Sequence, residues 1–145
     1  MKQVFGFFDG ACDNKKGIGG YGYVIACDND GVVKVVSEQH GAVPTKKVTN
    51  NVAEYFALLK LMKEIKEGDY EGCVTIFGDS QLVICQVNGE YEVKNDRLKK
   101  LYKKACEMER DICRKNPIEF KHIYRENNTR ADELSKMGLL EARGA

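Results

Sequence analysis

The stretch Val4-Phe5-Gly6-Phe7-Phe8-Asp9-Gly10 is almost wholly apolar and then changes abruptly to a carboxylate. A continuous apolar run of this length is typical of a strand that is covered on both faces, in the middle of a sheet backed by helices. The pattern predicts a rigid central strand that ends at Asp9, with Gly10 letting the chain turn away. Asp9 would then be a fixed negative charge at the edge of the sheet where ligands bind in α/β proteins.

Length and composition restrict the class of protein. The 145 residues suit one core, so we expect a single domain over residues 1–145. The apolar share is 43%, the charged share is 31% and the formal net charge is +1, so any basic surface must be local. No apolar run approaches the roughly 20 residues of a membrane span, and no signal-peptide pattern follows Met1. We expect no membrane partner.

The cysteines favour neither disulfides nor zinc. They are scattered along the chain without a C-x-x-C pair, and several lie in apolar segments, where a free thiol behaves as a small apolar side chain. We expect reduced, mostly structural thiols in a cytoplasmic protein. The six residues are Cys12, Cys27, Cys73, Cys85, Cys106 and Cys113.

Hydrophobic periodicity predicts an α/β chain with the element order βββαβααβα. The predicted strands cover residues 4–9, 21–27, 32–38, 74–79 and 118–124. The predicted helices cover residues 51–67, 80–87, 96–113 and about 130–140. Short connections, including a hairpin turn over residues 28–31, make the first three strands antiparallel, and the helical crossovers make the later strands parallel. The expected architecture is a five-stranded mixed sheet with helices on both faces.

Three further acids lie at element boundaries, and each has a simple structural explanation. Asn51 and Glu54 have the spacing of a capping box, as do Thr129 and Asp132. Asp79 could cap the helix that follows it. Acids are common in first helical turns, so none of the three indicates a function when it is taken alone.

The four acids taken together indicate a metal site. If the first and fourth strands are adjacent and parallel, Asp9 and Asp79 lie side by side, and the helices that carry Glu54 and Asp132 begin near the same edge. Four clustered carboxylates repel one another and raise each other's pKa, unless a cation is present. A ligand set made only of oxygen suits Mg²⁺ or Mn²⁺.

Four segments, in this order and spacing, resemble the signature blocks of type 1 ribonuclease H. They are Phe8-Asp9-Gly10-Ala11-Cys12, Thr49-Asn50-Asn51-Val52-Ala53-Glu54, Gly78-Asp79-Ser80-Gln81 and Asn128-Thr129-Arg130-Ala131-Asp132-Glu133-Leu134. The resemblance implies a ribonuclease H-like fold and an endoribonuclease that cleaves the RNA strand of RNA–DNA hybrids. It also implies two Mg²⁺ ions (Mn²⁺ is possible) and products with 5′-phosphate and 3′-hydroxyl ends. The implied catalytic and metal-binding residues are Asp9, Glu54, Asp79 and Asp132.

The same resemblance implies contacts with the hybrid. Amide side chains can both donate to and accept from a 2′-hydroxyl in the minor groove, although local capping is the alternative for them. Cys12 matches a position near the DNA strand. In the following turn the family usually has Asn-Pro-Gly, whereas this chain has Asn14-Lys15-Lys16-Gly17, so we expect Lys15 or Lys16 to contact a phosphate instead. The implied substrate-binding residues are Gly10, Cys12, Lys15, Asn50, Asn51, Gln81 and Arg125.

The chain also departs from longer members of that family. It lacks their long basic protrusion, and its densest basic run, over residues 94–104, is either a hybrid contact or a solvated helix face. The loop before Asp132 is short and contains no histidine, as in the compact branch of the family, so Arg125 is the expected substitute there. His122 is expected to pack under a helix beside Phe120 and Tyr124.

The sequence leaves one alternative of a different kind and argues against two other classes of enzyme. A catalytically silent hybrid-binding module on the same fold is that alternative, but a binder would be more stable without four repelling acids. Proofreading exonucleases begin with Asp-x-Glu and dehalogenase-type phosphatases with Asp-x-Asp, which residues 9–11 do not match. We expect a monomer.

Overall fold

The computed structural model describes residues 2–144. Over this range the chain forms the predicted succession of strands and helices. The strands are β1 (Lys2–Asp13), β2 (Ile18–Asn29), β3 (Val32–Ala42), β4 (Cys73–Gly78) and β5 (Ile118–His122). The helices are α1 (Asn50–Glu67), α2 (Gln81–Val87), α3 (Asp96–Cys113) and α4 (Thr129–Ala142), with a 3-10 turn (Arg125–Asn127) before α4. No helix within residues 2–144 has both the length and the hydropathy of a membrane span.

The five strands form one mixed sheet in the order β3-β2-β1-β4-β5. β2 pairs antiparallel with both β1 and β3, whereas β4 pairs parallel with both β1 and β5. A Cβ atom on Gly10 would lie 2.4 Å from the backbone of Ala53 in α1, and one on Gly22 would lie 2.4 Å from the backbone of Ser135 in α4. Adjacent residues of a strand point to opposite faces, and Gly22 pairs with Asp9, so α1 and α4 cover opposite faces. The predicted architecture is confirmed.

The predicted end of β1 at Asp9 is wrong. Phe8 and Gly78 are the last paired residues of β1 and β4, but β1 continues beside β2 as far as Asp13. The strand continues because its antiparallel partner extends further than its parallel partner. Gly10 is therefore not a turn residue, since its missing side chain is what lets α1 cross close to the strand. Asp9 lies at the position where β1 has lost its β4 neighbour.

Two local predictions are confirmed with small shifts in their bounds. The β2–β3 hairpin turns at Asp30 and Gly31, which both have positive φ angles of 56° and 90°, as in a two-residue type I′ turn. The apolar stripe of α1 faces the core, where most of its residues are completely buried. The stripe that the sequence predicts is Val52, Tyr55, Phe56, Leu58, Leu59, Leu61, Met62 and Ile65, and all of these except the half-buried Phe56 are buried.

The capping explanations for Glu54 and Asp79 are wrong. The hydroxyl oxygen of Thr49 accepts a hydrogen bond from the backbone amide three residues further on and so caps α1. Ser80 caps α2 in the same way. Because hydroxyl groups already occupy both caps, neither carboxylate is needed to begin its helix.

The end of β5 also differs from the expectation. The strand ends at His122, and only Phe120 is buried, whereas Tyr124 is 70% exposed. The His122 ring is exposed as well, because it pairs with Gly78 at the last position of the parallel ladder, at the open edge of the sheet. The prediction that His122 packs under a helix is therefore wrong.

Candidate active site

Three acids from three different elements meet where the parallel pairing of β1 and β4 ends, at the carboxyl end of β4. Asp9 lies in β1, Glu54 in the second turn of α1, and Asp79 directly after β4. One carboxylate oxygen from each can be chosen so that all three lie within 4.8 Å of one another. Asp9 and Glu54 are 4% and 8% exposed, so this cluster is set into the protein rather than spread over its surface.

The backbone of Gly10 fixes the two buried acids. Its amide nitrogen lies 2.9 Å from Oδ1 of Asp9 and 3.1 Å from Oε1 of Glu54, and donates to both. This is possible because α1 lies so close to β1 that a side chain at Gly10 would collide with the helix backbone. The close crossing of α1 over β1 therefore brings Glu54 to Asp9.

Without a counterion, burial and mutual repulsion destabilise the ionised forms of the clustered acids. Burial raises the pKa of Asp9, the hydrogen bond with Glu54 lowers it, and Asp79 and Asp132 raise it, and together they place this pKa at about 7. Burial also raises the pKa of Glu54 well above its usual range, with the Asp9 carboxylate as the next cause. The pair therefore holds a proton near neutral pH when no cation is near.

The residues present fit a hard divalent cation. Oε2 of Glu54 is buried and has no hydrogen-bond partner among the described residues. The ligand atoms that converge here are all carboxylate oxygens, which Mg²⁺ and Mn²⁺ prefer. A bound cation would occupy the unpartnered oxygen and neutralise charges that otherwise raise each other's pKa.

Asp132 approaches the cluster from α4, on the opposite face from Glu54. It lines the same cleft, which has a volume of about 420 Å³, and its side chain is 28% exposed. The capping box predicted for Thr129 and Asp132 is wrong, because Thr129 lies inside α4 and Asn128 occupies the cap position without a side-chain cap. The four predicted acids therefore line one cleft, three of them in close contact.

Sequence reasoning missed a basic residue in this cleft. Lys136 also lines it, and its ammonium group lies 2.9 Å from Oδ2 of Asp132. The two residues are four apart in α4, a spacing at which helical side chains meet. That spacing could have revealed the pair, but it is common on exposed helix faces and does not by itself indicate a site.

The predicted substrate-binding residues fall into two groups. Those that line the acidic cleft are Gly10, Asn50, Asn51 and Arg125. Cys12 lies away from it, with its sulfur 3.0 Å from the carbonyl oxygen of Val48. Gln81 is exposed at the start of α2, with Nε2 3.5 Å from the Tyr91 hydroxyl, and Lys15 lies in a neighbouring cleft.

That neighbouring cleft, which we call the lysine cleft, adjoins the acidic cleft through Thr49 and Asn50. Its walls are residues 14–18 and 45–49, and its charged side chains all belong to lysines. They are Lys15, Lys16, Lys46 and Lys47. A negatively charged backbone that crosses the acidic cleft can continue along this surface.

Arg97 fixes the loop that forms one wall of the lysine cleft. Its guanidinium group donates to the carbonyl oxygens of Lys46 and Lys47 and to the hydroxyl of Thr45, so it holds residues 45–47 against α3. The sequence places Arg97 in a basic run that could contact the hybrid. In the folded chain its donors are used to shape the loop instead.

Comparisons with known proteins agree with this geometry. The family described as "Reverse transcriptase-like" matches residues 7–138. Ribonuclease HI of Halobacterium salinarum is 28% identical over 97% of this chain, and the crystal structure of RNase H1 from that organism superposes with a TM-score of 0.83. Ribonuclease H of Syntrophus aciditrophicus is 30% identical, and the match covers 94% of this chain and 80% of that protein.

One solved structure was determined with nucleic acid. LC11-RNase H1 in complex with an RNA/DNA hybrid superposes with a TM-score of 0.80 and 29% identity, over 97% of this chain and 99% of that one. Some relatives are longer, since the chain spans 66% of the Halobacterium protein and 33% of the bifunctional protein Rv2228c of Mycobacterium tuberculosis. Because the family match spans nearly all of the sheet and α4, and the Syntrophus relative aligns over most of its own length, this chain belongs to the type 1 ribonuclease H family.

Proposed function

We propose that this chain is an endoribonuclease that hydrolyses the RNA strand of RNA–DNA hybrids with two divalent cations, Mg²⁺ or Mn²⁺. The observation that carries the proposal is the convergence of Asp9, Glu54 and Asp79, whose ligand oxygens lie within 4.8 Å of one another, with Asp132 in the same cleft. The hybrid in the LC11-RNase H1 crystal supports the choice of substrate.

The four acids would hold the cations at the sheet edge. Cations held there would make a water nucleophilic at neutral pH and would stabilise the charge on the leaving oxygen. Asp9 and Asp79 would be the rigid ligands, because Asp9 lies in β1 and Asp79 directly follows the adjacent parallel strand β4, and Glu54 and Asp132 would complete the set from opposite faces of the sheet. In-line attack of water on the phosphorus atom, with the 3′-oxygen leaving, gives 5′-phosphate and 3′-hydroxyl ends.

The surrounding polar residues would select the hybrid. Asn50 and Asn51 line the acidic cleft, and Thr49 already caps α1, so both amides are available to a 2′-hydroxyl. Arg125 offers a cation beside Asp79 and Asp132 for the cleaved phosphate. Gln81 and Cys12 would contact the strands further from the acids. Phosphates of the strand that leaves the cleft would meet the lysine cleft, which begins beside Thr49.

We further propose that the chain works as a monomeric single domain in the cytoplasm. All six cysteines are free thiols, which suits a reducing compartment.

The decisive test is cleavage of an end-labelled RNA–DNA hybrid with Mg²⁺, with Mn²⁺ and with a chelator. Single-stranded RNA, duplex RNA and duplex DNA of the same sequence are the substrate controls. We expect metal-dependent cleavage of the hybrid alone, and its loss in Asp79→Asn, which keeps the size of the side chain. Hybrid binding by the wild-type chain without cleavage in either metal would favour the silent binding module instead.

A further inference from the structure

Asn128 occupies an unusual position between the 3-10 turn and α4. Only 2% of its surface is exposed, and it is the residue before the first turn of the helix. An asparagine at such a position ordinarily caps the helix with its side-chain oxygen, but Asn128 makes no such bond. Its side-chain nitrogen Nδ2 instead lies 2.9 Å from the carbonyl oxygen of Phe8 and 3.4 Å from Oδ2 of Asp79.

The surroundings fix the orientation of this amide. Nδ2 faces a carbonyl oxygen and a carboxylate oxygen, so a flipped amide would place Oδ1 of Asn128 against two other oxygens. In the observed orientation Oδ1 is buried and accepts no hydrogen bond from the described residues. A buried acceptor without a partner destabilises the fold. The orientation of the amide therefore follows from its two donors and not from its acceptor.

The two N–H groups of the Asn128 amide point to the place where β1 and β4 stop pairing. Phe8 and Gly78 are the last paired residues of β1 and β4, and the next residue of each strand is a clustered acid. The Asn128 amide donates to the carbonyl oxygen of Phe8 in that pair, and Asn128 lies four residues before Asp132. The shorter bond to Phe8 holds the amide in place, and the longer contact aims its second donor at Asp79.

We propose that Asn128 is a positioning residue that orients the Asp79 carboxylate for metal binding. This inference rests on the proposed function. A donor at Oδ2 of Asp79 limits rotation of the carboxylate and leaves Oδ1 of Asp79 available to a cation. Hydrogen bonds behind metal ligands act in this way, and their removal typically weakens metal affinity by about 10–100-fold. Asn128 itself would touch neither substrate nor cation.

Calorimetric titration of the hybrid-free chain with Mn²⁺ tests the proposal without relying on activity. We expect Asn128→Ala to raise the Kd for Mn²⁺ by about tenfold or more. Arg130→Gln is the matched control. Arg130 lies in the first turn of α4 and anchors it to Glu38 of β3 with bonds of 2.8 and 3.1 Å, but it contacts none of the four acids. This control should lower the metal-free Tm and leave the Kd within about twofold of wild type.

The outcomes separate this inference from the proposed function. If wild type binds Mn²⁺ and folded Asn128→Ala binds it equally well, the positioning role is overturned and the metal site stands. If Arg130→Gln weakens binding as much as Asn128→Ala does, the effect is general loosening of α4, and the role is again overturned. If wild type binds no Mn²⁺, the metal site of the proposed function fails together with this inference.

A second measurement needs no variant and covers the case in which Asn128→Ala does not fold. In an isotope-labelled wild-type chain, the side-chain amide of Asn128 should give resonances that shift as Mg²⁺ saturates the site, with the same midpoint as the calorimetric titration. Resonances of this amide that do not respond to saturating Mg²⁺ would contradict the proposal.

Discussion

Oε1 of Glu54 lies 3.1 Å from the backbone nitrogen of Gly10, so an acid on α1 is bonded directly to the strand that carries Asp9. A Cβ atom at position 10 would lie 2.4 Å from the backbone of Ala53, and a helix backbone cannot move away as a flexible side chain can. We expect Gly10→Ala to push α1 away and to lower kcat/KM by about 10²-fold, since misplacements on the order of 1 Å have effects of this size.

Gly6→Ala is the matched control for this effect. Gly6 lies on the same strand and faces the same helix, but its Cβ would meet the flexible end of Leu61, 2.8 Å away. We expect it to lower the Tm and to leave kcat/KM within about threefold, because Glu54 is not displaced. Equal activity of the two variants, measured on one hybrid at saturating Mg²⁺, would show that the approach of α1 does not set the site.

The raised pKa of Asp9 predicts an unusual pH dependence of stability without metal. The ordinary pKa of this carboxyl is 3.8 and the folded-state pKa is about 7, mainly because of burial. Between these values the folded chain holds a proton that the unfolded chain releases, so the free energy of unfolding falls as the pH rises. The Tm in a chelator should therefore fall between about pH 5 and about pH 7.

Two comparisons make this prediction specific. Asp9→Asn removes the titrating group, so its metal-free Tm should be higher than that of wild type at neutral pH and should fall less over the same range. Saturating Mg²⁺ should raise the wild-type Tm most at the upper end of the range, because the cation binds the ionised acids. A wild-type Tm in chelator that rises from about pH 5 to about pH 7 would contradict the assignment.

Local patterns were sufficient to predict the sheet and the meeting of the four acids in one cleft. The apolar run before Asp9, the stripe of α1 and the turn at Gly31 each depend on neighbours in the sequence, and all three are confirmed. The convergence of Asp9 and Asp79 follows from the parallel pairing of β1 with β4.

Features that depend on contacts distant in sequence were missed. The true end of β1 depends on how far β2 extends, and the role of Gly10 depends on where α1 crosses. The sequence shows Arg97 as one cation in a basic run, and only the fold brings it to the carbonyl oxygens of Lys46 and Lys47, which lie 51 and 50 residues away. Asn128 and Phe8 are 120 residues apart in the sequence, and only the fold lets the Asn128 amide donate to the Phe8 carbonyl oxygen.

We predict that the lysines of the lysine cleft contribute to the salt dependence of hybrid affinity. Each lost phosphate contact reduces the slope of log affinity against log salt by about one. We expect the double variant Lys16→Gln and Lys46→Gln to reduce the slope by about two, measured by fluorescence anisotropy of a labelled hybrid with Asp79→Asn to prevent cleavage.

The control for the lysine cleft changes net charge by the same amount elsewhere. Lys63 and Lys121 are exposed, on α1 and β5, and neither lines the two clefts. Their replacement by Gln should leave the slope unchanged. If both double variants reduce it equally, net charge rather than the cleft governs hybrid binding. The same assay applied to alanine replacements of Lys99, Lys100, Lys103 and Lys104 decides whether α3 contacts the hybrid or is a solvated face.

The short loop before α4 leads to the last prediction, that catalysis depends on Arg125 more than on His122. Arg125 lines the acidic cleft with Asp79 and Asp132, whereas Nε2 of His122 lies 3.3 Å from the backbone carbonyl oxygen of Asp79. The histidine is thus close to the site, but it contacts the backbone of Asp79 and does not line the cleft.

His122→Gln keeps a side-chain donor for that carbonyl, so we expect kcat within about tenfold of wild type, a smaller loss than is usual when a general acid or base is removed. Arg125→Ala removes a charged contact with phosphate, worth about 1.5–3 kcal/mol, so kcat/KM should fall by about 10–100-fold. Both variants should be measured on one hybrid at fixed Mg²⁺, with thermal melts to show that they are folded. A folded His122→Gln enzyme as inactive as Asp79→Asn would mean that the exposed imidazole takes part in the reaction and that Arg125 does not replace it.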